Sequence, residues 1–435
     1  MKLPHSTKLN SRTETTAPHH TAEGGSDKRR IVSHYLGHFI FILLIGLSMM
    51  QTPAYAAKFV LDENFSPSLN GRVREILVQS DGRVLIGGQF TTAGGASAPR
   101  FARLNKDGTL DSSFATGSGA NNEVFALAQQ DDGKIIIGGK FAEYNGSIVR
   151  AIARINPNGS LDSSFATTGP INGADSSVYE LYITSNGQVI ATGDFQNFNG
   201  VSRKRIVKLN SSDGSVDTSF DLEFNSRPSK IIPLDGNELL VTGYFTEITV
   251  PQVGAFVRGG TGLITEGGTL LSDFSGVGAD NAVRDAIRLS NKQILIGGHF
   301  TSYNSIYKIR LVLFNSDNTM NSDFQATANG PVHALLPIGD DKIMLGGNFT
   351  EINGIARPYL ALINLDGTLD PDFDFTPNKA VDTLVQDSKG NVFIGGEFVD
   401  INNTIQLRIA KLKLEDDELC IVIKIKNGGF ATPCL

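Results

Sequence analysis

The sequence predicts an all-β fold built from seven copies of one four-stranded unit. Two landmarks recur along the chain, a Gly-x-Phe anchor preceded by Gly or Thr and a second anchor close to the form Leu-Asp-x-x-Phe, and each occurs seven times. Successive phenylalanines of the first anchor lie 51, 54, 50, 55, 49 and 49 residues apart. Two independent landmarks with one period indicate a repeat array.

Each unit has the composition of short strands joined by tight turns. In the second copy, apolar segments at 124–129, 134–139, 151–156 and 160–165 are separated by turn residues such as Asp132-Gly133 and Asn158-Gly159. The first anchor ends at Phe90, Phe141, Phe195, Phe245, Phe300, Phe349 and Phe398, and the second at Phe65, Phe114, Phe165, Phe220, Phe274, Phe324 and Phe373. A four-stranded unit of this length, repeated seven times, predicts a β-propeller.

The phase of the repeats predicts a closed ring. The segment 60–65 reads as a fourth strand with no earlier strands before it, and the last copy stops after its third strand at 407–412. The first segment can therefore complete the last blade, which removes two open sheet edges. We predict a seven-bladed β-propeller of four-stranded antiparallel blades over residues 58–414, closed by its N-terminal strand.

Residues 1–57 read as a signal peptide with a long polar n-region. Lys28, Arg29 and Arg30 precede an apolar run at 36–50, and small residues at 54–57 follow. We predict cleavage after Ala56, with an uncleaved signal anchor as the alternative, and a secreted, periplasmic or cell-surface location. Removing the segment takes away 6 basic and 3 acidic residues and leaves 32 basic against 42 acidic, a net charge of −10.

Composition excludes several functions. No run of Lys or Arg forms a stripe for phosphates, so no nucleic-acid partner is expected. Asp-Gly turns such as 105–111 resemble calcium loops, but Phe114 occupies the position where an EF-hand needs glutamate. We predict no metal and no cofactor. Five of the seven histidines leave with the signal segment: His5, His19, His20, His34 and His38.

The repeat resembles a known family. The run Gln129-Gln130-Asp131-Asp132-Gly133-Lys134-Ile135-Ile136-Ile137-Gly138-Gly139-Lys140-Phe141, followed by Ala153-Arg154-Ile155-Asn156 and Leu161-Asp162-Ser163-Ser164-Phe165, is similar to the bacterial delta-60 β-propeller repeat. The resemblance covers about residues 58–414, and copy four, at 254–274, departs from the pattern. It implies an exported or surface propeller of bacterial origin and no established activity.

Candidate ligand-binding residues are those that differ between copies at an equivalent place. The residue between Gly and Phe is polar or amphipathic in every copy, and its side chain is expected to point away from the buried Phe. These seven are Gln89, Lys140, Asp194, Tyr244, His299, Asn348 and Glu397. A solvated position that tolerates any polar residue is the alternative. A second set on the innermost strands is expected to face a central channel: Arg74, Glu75, Tyr179, Glu180, Lys230, Arg284, Asp285, His333 and Asp382.

These features predict an exported, non-catalytic binding scaffold for a protein or a glycan, acting as a monomer without a membrane span in its mature form. The alternative is a hydrolase or lyase that acts on a polysaccharide in the channel, where two carboxyl groups about 5 to 9.5 Å apart would be needed. No nucleophile elbow, metal triad or cofactor motif is present.

Residues 415–435 form a C-terminal tail that reads as a β-hairpin. Alternating Ile and Lys precede Asn427-Gly428. With a three-residue loop, residue 425 pairs with residue 429, and Cys420 then faces Cys434. We predict a disulfide between them in an oxidising compartment. A two-residue loop would misalign the pair by one residue, and a sorting or docking tag is the alternative function of the tail.

Overall fold

The computed structural model describes residues 58–165, 172–272 and 276–415, and the short strands Ile423–Lys424 and Phe430–Ala431. Every regular element in this part of the chain is a β-strand. The signal segment, Phe274 of the second anchor and both cysteines lie outside the described residues. The two short strands pair with Lys424 opposite Phe430, the register that a three-residue hairpin loop predicts.

Seven antiparallel sheets of one kind recur along the described chain, each with an inner, a middle and an outer strand. The inner strands are Val73–Val78, Val124–Gln129, Val178–Ile183, Pro228–Pro233, Val283–Arg288, Val332–Ile338 and Val381–Gln386. The middle strands are Val84–Gly88, Ile135–Gly139, Val189–Gly193, Glu238–Gly243, Ile294–Gly298, Lys342–Gly347 and Val392–Gly396. The outer strands are Phe101–Leu104, Ile152–Ile155, Ile206–Leu209, Thr261–Thr265, Leu311–Phe314, Leu360–Asn364 and Ile409–Glu415.

A small hairpin joins each middle strand to its outer strand. The seven hairpins are Thr92–Ala93 with Ala96–Ser97, Glu143–Tyr144 with Ser147–Ile148, Asn197–Phe198 with Val201–Ser202, Glu247–Val250 with Gly254–Val257, Ser302–Tyr303 with Ile306–Tyr307, Glu351–Ile352 with Ile355–Ala356, and Asp400–Ile401 with Thr404–Ile405. In the fourth copy, Glu223–Phe224 adds a third strand. Asn145, at one hairpin tip, has a φ of 47°, the left-handed conformation that Asn tolerates.

The prediction of four full strands per unit is wrong for six of the seven sheets. In the second copy, the segment expected at 160–165 makes a single bridge between Ile155 and Leu161. The strand stops there because the Asp162 carboxylate accepts hydrogen bonds from the Ser164 N–H at 3.0 Å and from its hydroxyl at 2.6 Å, which turns the chain.

The last sheet has a fourth strand, and the start of the described chain supplies it. Lys58–Leu61 pairs antiparallel with the outer strand Ile409–Glu415, with Lys58 opposite Glu415 and Leu61 opposite Leu412. The Asp62 N–H continues the ladder to the carbonyl of Lys411 at 2.8 Å. The segment that we predicted to complete the last copy therefore lies in its sheet.

The core consists of apolar clusters between neighbouring sheets. One cluster contains Ile190 and Ile206 of the third copy together with Val241 and Ile248 of the fourth. Phe393 and Ile409 of the last copy share a cluster with Val73 and Ile86 of the first, so the first and last sheets pack in the same way as sequential ones. Fully burying one such side chain stabilises the fold by about 1.5–3 kcal/mol.

An Asn or Asp lies 20 residues before the phenylalanine of each Gly-x-Phe anchor. Its side chain caps the turn that follows that phenylalanine. In the first copy, the Asn70 carboxamide oxygen accepts the N–H groups of Thr91 at 2.7 Å and Thr92 at 3.0 Å. Its equivalents accept from the corresponding residue or residues in every other copy: Asn121, Asp175, Asn225, Asp280, Asn329 and Asn378. This bond fixes the start of each inner strand relative to its own middle strand.

Candidate functional site

Each inner strand begins with a β-bulge opposite the two residues that end the middle strand. In the first copy, Val73 pairs with Gly88 and Glu75 with Gly87, which leaves Arg74 unpaired. The same irregularity occurs in all seven sheets. A bulge cancels the alternation of a regular strand, so two successive side chains can face the same side. The bulged residues are Arg74, Phe125, Tyr179, Ser229, Arg284, His333 and Asp382.

The second glycine of the doublet is required by this bulge. A Cβ on Gly139 would lie 2.1 Å from the carbonyl oxygen of Glu123, the residue just before the inner strand. A Cβ on Gly88 would lie at the same distance from the carbonyl oxygen of Arg72. Glycine is needed for close backbone approach rather than for binding phosphate, which agrees with the absence of any helix after these loops among the described residues.

The seven candidate residues between Gly and Phe all lie at the bulged end of the inner strands. Each donates its backbone N–H to the carbonyl of the residue that precedes the inner strand, as Tyr244 does to Arg227 at 2.9 Å. The structure brings Tyr244 and His299 together, with 6.2 Å between their ring centroids. Lys140 lines the cavity described below.

The other four candidates have different surroundings. Gln89 donates to Glu123 at 2.7 Å. Asp194 lies 3.2 Å from Arg205, and Glu397 pairs with Arg72. Asn348 is exposed, away from this group of contacts. The seven thus share one end of the sheets, and Gln89, Asp194 and Glu397 contact the residues that precede inner strands there.

The inner strands enclose a cavity of about 750 Å³. All seven contribute to it, and the nine inner-strand candidates line it as predicted. We call the end formed by the bulged residues and the residues preceding the inner strands the mouth. We call the carboxyl and ammonium groups one residue further along the strands the floor: Glu75, Glu180, Lys230 and Asp285.

Aromatic and cationic side chains form a stacked arc around the mouth. Phe125 and Tyr179 stack in parallel with 4.7 Å between ring centroids. The Arg227 guanidinium lies 4.3 Å from the Tyr179 ring centroid and 4.5 Å from that of Tyr244, so it bridges the two rings. The arc then continues to two further rings, since His299 lies 6.2 Å from Tyr244 and stacks on His333 at 6.0 Å.

The potential at this arc is positive. Burial alone would raise the pKa of Tyr244, but Arg284 and Arg227 outweigh burial and lower the pKa. Burial and then the positive charges of Arg284 and its neighbours lower the pKa of His299 to about 4. A tyrosine and a histidine whose pKa values are both lowered by the same arginines share a cationic environment.

The opposite side of the mouth is neutralised internally. Arg72 donates two hydrogen bonds to the Asp382 carboxylate and one to Glu397. His333 Nδ1 lies 3.3 Å from Asp382 Oδ1. Burial would raise the pKa of Asp382, but the hydrogen bonds from His333 and Arg72 outweigh it and lower the pKa. The Arg72 guanidinium is therefore paired with two carboxylates on this side.

The floor contains three carboxyl groups and one ammonium. Lys230 Nζ lies 3.3 Å from Glu180 Oε1, and the Glu180 carboxylate raises the pKa of Lys230. Asp285 accepts the N–H of Ala286 at 2.8 Å and that of Leu335, on the next inner strand, at 2.7 Å. Burial, with Glu180 and Asp285 adding to it and Lys230 opposing, raises the pKa of Glu75 to about 8.

The raised pKa of Glu75 predicts a pH-dependent cost to folding. Its ordinary value is 4.5, so between pH 4.5 and 8 the folded protein binds a proton that the unfolded chain releases, and stability falls as pH rises through this window. In Glu75→Gln we expect urea unfolding to show a loss of stability between pH 5 and pH 8.5 that is smaller by about 1–3 kcal/mol than in the wild type.

The matched control for this measurement is Glu143→Gln, at an exposed hairpin position. It should lose stability with pH as the wild type does. Parallel curves for wild type and Glu75→Gln would contradict a proton held at Glu75.

Sequence reasoning missed several residues that build the mouth: besides Arg72 and Ser229, these include Arg227, Glu123 and Phe125. Arg227 and Glu123 precede inner strands, where no landmark marks them. Phe125 lies in an apolar strand, and nothing in the pattern separates it from a core residue. Comparison of the copies at the position immediately before each inner strand could have found Arg227 and Glu123, because that position reads Arg72, Glu123, Ser177, Arg227, Ala282, Pro331 and Ala380.

Two absences among the described residues concern metal binding and membrane spanning. No group of three or more His, Cys, Asp or Glu side chains there is placed to hold a metal ion. Within 58–165, 172–272 and 276–415, no helix has the length and apolar character to cross a membrane. The Asp-Gly turns act as hairpin turns, as in Asp107, whose carboxylate accepts the Thr109 N–H at 3.0 Å.

Repeated sheets of this pattern, packed side by side around inner strands, define a β-propeller repeat protein. A family model described as domain of unknown function (DUF5122) beta-propeller matches residues 79–114, 130–165, 184–220, 289–324 and 339–373. These five matches begin just after an inner strand and end with, or next to, a Leu-Asp-x-x-Phe anchor. They describe the scaffold and leave out the strands that line the cavity.

Solved structures with a TM-score of 0.50 or above support the β-propeller fold. The WD40 β-propeller domain of Doa1 is 13% identical, covers 83% of this chain and 98% of its own, and has a TM-score of 0.51. The structure of U3-55K is 10% identical, with coverages of 79% and 95% and a TM-score of 0.50. Virginiamycin B lyase from Staphylococcus aureus is 17% identical, with coverages of 82% and 100% and a TM-score of 0.47. No curated protein matches the sequence.

Proposed function

We propose that this protein is an exported, non-catalytic, seven-bladed β-propeller of the delta-60 repeat type, closed by its N-terminal strand, which binds a protein or glycan ligand at the mouth of its central cavity. The observation that carries the proposal is the cavity itself, to which the bulge in every inner strand brings charged and aromatic side chains. A cavity of about 750 Å³ falls in the range of ligand-binding pockets.

The asymmetry of the mouth supports a binding role. A scaffold needs equivalent residues at equivalent positions, as the glycine doublets and the capping Asn or Asp residues are. The bulged residues instead include two arginines, three aromatic rings, a serine and an aspartate. Their contacts with one another pre-organise one side of the mouth, which reduces the entropy that a ligand must offset on binding.

The arrangement of the floor favours binding over hydrolysis. Glycoside cleavage needs two carboxyl groups that both reach the substrate. Glu180 is held by Lys230, and Asp285 is held by two backbone N–H groups, one of them on the neighbouring sheet. Only Glu75 among the three has no such contact within the described part of the chain, so the floor offers one available acid rather than a pair.

The experiment pairs a mouth variant with an assay for turnover. The protein is passed over immobilised neutral and acidic polysaccharides, an acidic protein and a basic protein, and reducing ends are assayed after prolonged incubation. We expect retention on at least one member of the panel without new reducing ends. The double variant His299→Ala and Glu397→Ala should lose retention, with a melting temperature within about 2 °C of the wild type.

Arg150→Gln, at an exposed arginine outside the cavity, is the control and should be retained. Retention that survives the mouth variant, no retention on any member, or reducing ends released in proportion to protein would each overturn the proposal.

A further inference from the structure

We propose that the cavity takes a sugar acid, with the ligand's carboxylate held by Arg227 and Arg284 at the mouth and its hydroxyl groups held by the carboxyl groups of the floor. This inference rests on the proposed function and names the chemical class of its ligand. It follows from three properties of the cavity: two arginines of which one has no carboxylate within 4 Å in the described chain and the other has one only at 4.0 Å, aromatic faces already occupied, and hydrogen-bond acceptors below them.

The first property is uncompensated positive charge on one side of the mouth. Among the residues that the structure describes, no carboxylate lies within 4 Å of the Arg284 guanidinium. Its polar contact is the Tyr244 hydroxyl, which accepts from Nη1 at 3.0 Å, and its buried Nε has no hydrogen-bond partner in the described chain. Arg227 reaches Asp194 only at 4.0 Å. Both arginines line the cavity.

The second property concerns the rings between these arginines. Phe125 covers one face of Tyr179, and the Arg227 guanidinium, 4.3 Å from the ring centroid, must take the other. Arg227 also covers a face of Tyr244. Ring faces carry the negative part of the aromatic quadrupole and ring edges the positive part. With faces covered by neighbours, the arc presents positive edges and guanidinium N–H groups, a set that attracts an oxyanion.

A carboxylate suits this set in shape. Guanidinium groups bind planar carboxylates through parallel N–H bonds, and such charge-assisted bonds are about twice as strong as neutral ones. Covered faces also leave little open aromatic surface on Tyr179 for an apolar ring to stack on. The mouth therefore selects for charge rather than for apolar area.

The third property lies one residue deeper. The Glu75 carboxyl group has no hydrogen-bond partner in the described chain, and Glu180 and Asp285 keep acceptor lone pairs beyond the contacts that hold them, so the floor can accept hydrogen bonds from hydroxyl groups. These acids repel a second carboxylate that reaches the floor, so a ligand with several carboxylates, such as an acidic peptide, is disfavoured. A ligand with one carboxylate at one end and several hydroxyl groups at the other matches both the mouth and the floor. A sugar acid has that arrangement.

Three monomeric probes of one ring size separate these requirements by calorimetry. Galacturonate has both the carboxylate and the hydroxyl groups, galactose has no carboxylate, and cyclohexanecarboxylate has no hydroxyl groups. We expect galacturonate to bind at least tenfold more tightly than either, and its affinity to fall as NaCl rises from 50 to 500 mM because salt screens the charge contact, the Debye length being about 10 Å at 0.1 M.

Arg284→Gln should weaken galacturonate at least tenfold and leave galactose unchanged, while the exposed Arg150→Gln should change neither. A disaccharide of galacturonate linked to galactose, which carries one carboxylate, and triglutamate, which carries several, distinguish the source of the carboxylate. Tighter binding of the disaccharide than of galacturonate indicates a uronate at the end of a glycan, and the reverse order indicates a free sugar acid; either supports the proposal.

Three results would each overturn the sugar-acid proposal. Galacturonate could bind no better than galactose or cyclohexanecarboxylate, or its affinity could be unchanged in Arg284→Gln. Triglutamate could also bind more tightly than either uronate. If the protein instead bound a neutral polysaccharide at the mouth, the proposed binding function would stand and only the sugar-acid proposal would be overturned.

Discussion

Replacing Phe65 by alanine should destabilise the protein by about 3–5 kcal/mol, the usual cost of removing a buried phenylalanine. Phe65 belongs to the segment that follows the N-terminal strand, and it is fully buried. Its ring meets that of Phe393, in the last copy, with 5.2 Å between centroids in an edge-to-face arrangement. The anchor residue of the first segment is therefore packed against the end of the chain.

Phe114 provides the matched control, because it occupies the same place in the next unit. Its ring meets Phe101 at 5.5 Å, also edge to face, within the first copy. If the first segment is as integral as any other, guanidinium unfolding of Phe65→Ala and Phe114→Ala should give losses within about 1 kcal/mol of each other. A loss below about 1 kcal/mol for Phe65→Ala alone would mean that the first segment is dispensable.

Replacing Gly139 by alanine should lower the free energy of unfolding by at least about 3 kcal/mol. The new Cβ would clash with a backbone carbonyl oxygen, and no side-chain rotamer change can relieve that clash. That Cβ would lie 2.1 Å from the Glu123 oxygen and 3.0 Å from Val124 Cα. Relief of the clash requires opening the bulge that places Phe125 at the mouth. Loss of stability and loss of ligand binding should therefore occur together.

Gly146, in the hairpin of the same copy, is the control. It has a φ of +76°, and a Cβ added there would meet no atom within 4 Å. Gly146→Ala should cost only the left-handed backbone penalty of about 1–2 kcal/mol and leave the mouth unchanged. Equal thermal shifts for the two variants would contradict the steric role assigned to the doublet.

Much of the scaffold could be predicted from the sequence because its devices repeat. The period, the inner and middle strands and the place of the first segment all follow from landmarks that every copy carries. The capping residue 20 positions before each anchor phenylalanine, from Asn70 to Asn378, is equally visible but hard to single out, because Asn and Asp in loops read as ordinary turn formers.

The cavity was harder to predict, since its geometry depends on the bulges. Strand alternation places Arg74 and Glu75 on opposite faces, yet both line the cavity. The bulge that turns them comes from close backbone approach at Gly88; the glycine pair indicates a bulge, but it does not indicate which side chains the bulge redirects. Arg227 lies outside its strand and acts through Tyr179 and Tyr244, contacts that join different copies and so leave no local pattern.

The proposed closure of the ring requires the first strand to pair with the last outer strand. A cysteine cross-link tests that pairing most directly. Lys58 lies opposite Glu415, and both are exposed. Directly opposed residues have Cα atoms about 4.5–5.5 Å apart, within the range that a disulfide needs. Lys413, the partner of Val60, is two positions out of register with Lys58 and serves as the control.

Both double variants, Lys58→Cys/Glu415→Cys and Lys58→Cys/Lys413→Cys, are made in a background in which Cys420 and Cys434 are replaced by serine. Each variant is oxidised, and cross-linking is followed by gel mobility without reductant. The account predicts fast, nearly complete cross-linking of the 58–415 pair, seen as a compact, fast-migrating denatured chain, and slow, partial cross-linking of the 58–413 pair. Equal rates for the two pairs, or no cross-link at 58–415, would contradict the proposed closure of the ring by the N-terminal strand.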